Sequence, residues 1–140
     1  MIKSKLLNSD IHRVLAQLGH TDRIVIGDAG LPIPNQTERI DLALVAGVPS
    51  FMETLEAVGS LMQIETILLA DEIKVKNPDL HSAILAWVET QSSEAKPIMV
   101  DYITHEALKA QSGEPACKTI IRTGECSPYA NIILEAGVVF

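Results

Sequence analysis

Four histidines, His12, His20, His81 and His105, are the groups in this chain best suited to move protons near neutral pH. Two have ordinary readings: His12 falls inside a helical pattern at a surface or flank position. His81 falls in the first turn of a later helix, solvated. His20 stands apart, just after a helix-stopping Gly19 and just before the β-branched run Arg23 to Gly27. Asp28 closes that run, with little steric cover from Gly27, Ala29 and Gly30. Carboxyl ends of strands are where open α/β sheets place ligands. Along a straight path, at about 3.3 Å per residue, His20 and Asp28 are separated by up to roughly 25 Å. They meet only if the chain folds back or a second subunit supplies one of them. By spacing alone the plainer reading is favoured: a histidine at a helix C-terminus and an aspartate capping a turn.

His105 and Lys109, four residues apart, share a helix face, as a working pair or as an incidental one on a solvated helix. The segment Arg122 to Asn131 is polar, irregular and punctuated by Gly124 and Pro128. Tyr129 offers a flat ring and Asn131 an amide that both donates and accepts, a set that suits a polyhydroxylated ligand. Its plain alternative is a hairpin connection. No glycine-rich phosphate loop, nucleophile elbow or His/Cys metal spacing occurs. Cys117 and Cys126 match neither a redox pair nor a zinc spacing and read as free thiols.

The elements that must hold these groups alternate between helix and strand. Ser9 reads as the N-cap of a helix whose apolar face is Ile11, Val14, Leu15 and Leu18. Strands are expected at Arg23 to Gly27, Asp41 to Ala46, Thr66 to Ala70, Pro97 to Tyr102, Ala116 to Arg122 and Ile132 to Phe140. Two prolines make Leu31 to Asn35 a loop. Ser50 and Glu53 form a capping box ahead of Phe51, Leu55, Val58 and Met62. Asn77 and Pro78 open a helix carrying Leu80, Ile84, Trp87 and Val88. Thr104 caps a short helix from His105 to Gln111. The pattern predicts a single α/β domain over residues 1–140, a sandwich with a mixed, mainly parallel sheet flanked by helices. The short connection between the last two strands suggests that they are antiparallel neighbours.

Composition narrows the partners. The 140 residues carry 11 Lys and Arg against 18 Asp and Glu, a net charge of −7, which disfavours nucleic acid and anionic membrane surfaces. Hydrophobic residues make up 47% but aromatic ones only 4%, so the core is aliphatic and apolar surface remains for a partner chain. No apolar run reaches the length of a membrane span, and the chain reads as soluble and cytoplasmic.

The blocks Gly19-His20-Thr21-Asp22, Asp28-Ala29-Gly30-Leu31-Pro32-Ile33-Pro34, Arg122-Thr123-Gly124-Glu125 and Pro128-Tyr129-Ala130-Asn131 together resemble the ribose pyranase/fucose mutarotase family. The resemblance extends through Gly47-Val48-Pro49-Ser50-Phe51, Glu72-Ile73 and His105-Glu106 with Lys109, and covers essentially the whole chain. It implies an isomerase that interconverts pyranose and furanose forms of D-ribose without a cofactor or metal. It implies His20 as general acid and Asp28, His105, Lys109, Tyr129 and Asn131 as the sugar-binding set. It also implies a ring-like homo-oligomer, a decamer, with sites at subunit contacts. The competing readings are a mutarotase acting on fucose or another sugar, a non-catalytic ribose-binding accessory, and a phosphohistidine carrier.

Overall fold

The computed structural model describes all 140 residues. Six strands form one sheet in the order β2-β5-β1-β6-β3-β4. They are β1 (Arg23–Gly27), β2 (Glu38–Asp41), β3 (Ile64–Ala70), β4 (Met99–Ile103), β5 (Cys117–Arg122) and β6 (Ile132–Ala136). β5 runs parallel to β1 and β2, and β3 parallel to β4, while β6 is antiparallel to both β1 and β3. Five strands therefore point one way and β6 returns between them, a mixed and mainly parallel sheet as expected. The helices are α1 (Ser9–Gln17), α2 (Phe51–Gly59), α3 (Ile73–Lys76), α4 (Pro78–Gln91) and α5 (His105–Ser112). None is long and apolar enough to cross a membrane.

Alternation along the central strands sends successive side chains to opposite faces. Ile24, Ile26, Ile67, Leu69, Ile132 and Leu134 join Ile11, Phe51, Leu55 and Ile84 in the larger core, under α1, α2 and α4. Val25, Leu68 and Ile133 face the other way and pack with Leu108 of α5 in a smaller one. Strands buried on both faces read as continuous apolar runs, which is why β1, β3 and β6 are plain in the sequence.

Several local expectations change. Asn8, not Ser9, caps α1, its side chain accepting from the Ile11 N–H at 2.9 Å. The strand expected at Asp41 to Ala46 lies just upstream at Glu38–Asp41. The apolar residues after it form a turn closed by an isolated Val45–Val48 bridge. β5 and β6 are not neighbours, because β1 stands between them, and β6 ends at Ala136. Asn77 does not cap α4 with its side chain, whose amide instead donates to Ser127 and to the Pro128 carbonyl, both at 2.9 Å. The α2 capping box and the Thr104 cap of α5 stand as read.

Candidate functional site

β6 is antiparallel to β1, so its first residues stand beside the carboxyl end of β1. That topology joins two distant sequence blocks. The Asp28 N–H donates to Asn131 Oδ1 at 3.0 Å, and Asn131 Nδ2 donates to Asp28 Oδ2 at 2.9 Å. Asn131 is fully buried, and its amide is spent largely on holding Asp28. The other Asp28 oxygen takes the Gly30 N–H at 2.8 Å, and the Ala29 N–H donates to the Glu125 carbonyl at 2.8 Å. Arg122 Nε donates to the Ala29 carbonyl while its guanidinium pairs with Asp41 at 3.0 Å. Gly27 is required here, since a Cβ would lie 2.6 Å from Leu31 and 3.1 Å from Asn131 Oδ1.

His105 opens α5 directly after β4, at the same end of the sheet. Its ring meets Tyr129 edge-on, with centroids 5.1 Å apart. The ring atom Nδ1 is buried without a hydrogen-bond partner, a polar atom aimed inward with nothing to bind. Tyr129 itself sits at φ 55°, a left-handed conformation that a bulky residue rarely adopts. Such outliers concentrate at ligand sites. Lys109 stands one turn along α5, its ammonium on Glu106 at 2.6 Å rather than on the Asp28–Asn131 pair.

His20 is elsewhere. It precedes β1, whose five residues span roughly 17 Å, so it lies at the opposite end of the sheet from Asp28. Its Nε2 meets Glu65 Oε2 at 2.7 Å, in a cleft of about 340 Å³ walled by Gln63, Lys96, Met99 and Val138. Thus Asp28, His105, Tyr129 and Asn131 gather within one chain, Lys109 borders them, and His20 does not join them. The other two histidines bind within the fold. His12 bonds the Leu6 carbonyl, and His81, expected in solvent, meets the Tyr102 hydroxyl at 2.6 Å.

Some supporting residues carry no local signal. Glu72 places both carboxylate oxygens on the His105 N–H, at 3.1 and 3.0 Å, and so fixes the start of α5. Glu125 accepts from the N–H groups of Phe51, at the start of α2, and of Ser127. The Glu72–His105 and Glu125–Phe51 partnerships span 33 and 74 residues, so only the fold displays them. Burial pushes the Glu125 carboxyl up, but hydrogen bonds from the Phe51, Ser127 and Cys126 N–H groups and the Ser127 side chain together outweigh it and hold it below its ordinary value of 4.5. A carboxyl depressed in the folded state stabilises above its unfolded pKa and loses that contribution as pH falls through the folded one. Glu125→Gln is therefore expected to lower the urea midpoint at pH 7, with a smaller gap to wild type at about pH 3. Urea titrations at the two pH values check it.

Burial pushes the Cys117 thiol up to about 11, which removes it as a nucleophile. No group of three or more His, Cys, Asp or Glu side chains is arranged to hold a metal. Next to the Asp28 loop, Ala29, Leu44, Val45, Arg122 and Cys126 line an open hollow of about 290 Å³. Leu44 and Val45 are 78% and 60% exposed there, more apolar surface than a solvated turn needs.

Comparison with known proteins covers the whole chain. The model of the RbsD / FucU transport protein family matches residues 1–139. A D-ribose pyranase of Escherichia coli O127:H6 is 52% identical over 141 residues, spanning 100% of both chains. The structure of Bacillus subtilis RbsD complexed with D-ribose superposes with a TM-score of 0.89 at 41% identity, covering 100% of each chain. The fucose mutarotase of Streptococcus pneumoniae in complex with L-fucose reaches a TM-score of 0.75 at 28% identity, over 95% of this chain and 94% of its own.

Proposed function

Because the chain belongs to the RbsD / FucU transport protein family, we propose that it acts as a D-ribose pyranase, an isomerase that interconverts ring forms of free ribose. The observation that carries this is the end-to-end match at 52% identity to a D-ribose pyranase. The Asp28–Asn131 and His105–Tyr129 pairs support it, since they set carboxylate, imidazole and phenol groups around one spot.

In the reaction we propose, β-D-ribopyranose opens and recloses as β-D-ribofuranose. As the bond between the anomeric carbon and the ring oxygen breaks, His20 gives that oxygen a proton. The anomeric hydroxyl loses its own proton to water and becomes the aldehyde oxygen. On closure the 4-hydroxyl attacks the aldehyde carbon and passes its proton back to His20, while the aldehyde oxygen takes one from water. Protons balance and no cofactor is consumed. Acid–base help of this kind is typically worth about 10²–10⁴-fold, useful for a ring opening that water already supports slowly. Asp28 accepts from sugar hydroxyls, His105 and Lys109 hold hydroxyls or developing negative charge, and Tyr129 and Asn131 form the edge of the sugar site.

His20 and the other five residues lie at opposite ends of β1, so the complete site in this reading forms between two protomers. Exposed Leu44, Val45, Val139 and Phe140 are the surface that such an assembly would cover. We take the assembly to be a decamer, and the enzyme to serve ribose catabolism in the cytoplasm, where the free thiols Cys117 and Cys126 are at home.

Magnetisation exchange between ribose ring forms, measured by NMR with and without the protein, tests the activity. Accelerated pyranose–furanose exchange is expected. Acceleration for fucose alone would transfer the chain to the mutarotase branch, to which it is also similar in fold. Saturable ribose binding without any acceleration would make it an accessory protein.

A further inference from the structure

The cleft around His20 is built with two backbone irregularities. On β3, Ile64 pairs with Ala136 and Thr66 with Glu135, so Glu65 is an extra residue with no partner across the ladder. A bulge of this kind turns one side chain away from its regular direction. Here the bulged residue carries the carboxylate that meets His20 Nε2 at 2.7 Å. The second irregularity is Thr21, whose φ of 69° is left-handed, a conformation β-branched residues avoid. It is held there by its N–H, which donates to the Ala136 carbonyl at 2.9 Å, and by the Gly19–Asp22 turn. Ala136 thus anchors both irregularities. Beside it, Gly137 leaves room for Glu65: a Cβ there would lie 3.2 Å from the Glu65 Cβ.

Stability does not explain this construction. The His20 and Glu65 side chains are 52% and 49% exposed, and pairs that exposed contribute little to folding. Irregular backbone at Glu65 and at Thr21, the residue next to His20, brackets one exposed pair, and that points to function.

We propose that Glu65 is a positioning residue for His20: its carboxylate occupies Nε2, fixes the ring, and leaves Nδ1 as the atom that faces the sugar. The inference rests on His20 being the proton donor of the proposed reaction. In the opening step the proton then travels from Nδ1–H to the ring oxygen, and on closure it returns to Nδ1. Nε2–H stays on Glu65 throughout, and Glu65 neither gains nor loses a proton. Fixing one nitrogen removes free rotation of a surface imidazole and selects which proton can be transferred.

The test compares Glu65→Ala with Glu65→Gln, whose amide oxygen still accepts from Nε2–H. Exchange kinetics are measured against ribose concentration, and the His20 ring is observed by ¹H–¹⁵N NMR. Glu65→Ala is expected to lower kcat by about 10- to 100-fold with KM nearly unchanged, and Glu65→Gln to recover most of the loss. The downfield, slowly exchanging Hε2 of His20 is expected in wild type and Glu65→Gln and absent in Glu65→Ala. A merely structural pair would not move that resonance together with kcat. Wild-type kcat in Glu65→Ala, alongside a His20→Ala variant that has lost activity, overturns the role of Glu65 and leaves the proposed reaction standing. Wild-type kcat in His20→Ala overturns the proposed reaction itself.

Discussion

Mixing His20→Ala protomers with His105→Ala protomers is expected to restore roughly a quarter of the wild-type exchange rate, because random assembly pairs two intact half-sites about that often. Each variant alone starts low. His20→Ala removes the proton donor of the proposed reaction, a loss of about 10²–10⁴-fold. His105→Ala removes the hydrogen bond that the proposed site gives the sugar, worth about tenfold or more. His105 is the cleaner partner for the experiment than Asp28. Its ring nitrogens hold no hydrogen bond inside the chain, so truncation orphans no neighbour, whereas Asp28 is tied to Asn131 and Gly30. The two variants are unfolded together, refolded and assayed by magnetisation exchange. Within one chain His20 and the Asp28 cluster are separated by the length of β1, so recovery requires a site made from two protomers. A mixture whose rate is only the mean of its two components would place the site inside a single chain and overturn the shared-site reading.

That geometry also explains what the sequence could and could not disclose. Ser50 and Glu53 cap α2 through bonds three residues apart, and the Thr104 cap of α5 is equally local, so both are legible. β2 is not, because it is an edge strand with only Ile40 buried among Glu38, Arg39 and Asp41. The apolar Leu44 and Val45 that imitate a strand are instead exposed on a turn, where hydrophobicity serves surface rather than core. Loop length misplaces β6, although its apolar Ile132-Ile133-Leu134 demands cover on both faces and therefore a central position. As for the candidate site, residue types and family-like blocks single out the six polar groups proposed for it. Their grouping was invisible, since the Asp28–Asn131 bond joins residues 103 apart and His20–Glu65 joins residues 45 apart.

Asn131→Asp, which replaces one NH2 group by an oxygen, is expected to destabilise the protein by about 3–5 kcal/mol at pH 7, the cost of an uncompensated buried charge. The new oxygen would stand where Asn131 Nδ2 now donates to Asp28 Oδ2 at 2.9 Å, in a side chain with no exposure. Two facing carboxylates in such a place do not both ionise, so one carboxyl of the pair has a folded-state pKa raised above its ordinary value of about 3.9. A raised carboxyl pKa means that the folded state binds the extra proton and the unfolded state releases it. The variant is therefore near wild-type stability below about pH 4 and loses stability as pH rises from there to the raised value. Urea midpoints at pH 4 and pH 7 read this directly, and an equal deficit at both would mean that shape, not charge, is what Asn131 supplies. The swapped double variant Asp28→Asn with Asn131→Asp sharpens the distinction. The amide at 28 can donate to the carboxylate at 131, and that carboxylate can still take the residue 28 N–H. Stability is thus expected to recover in part at pH 7. Ribose exchange is not, because the charge has moved from the loop assigned to the sugar in the proposed site to a buried position behind it.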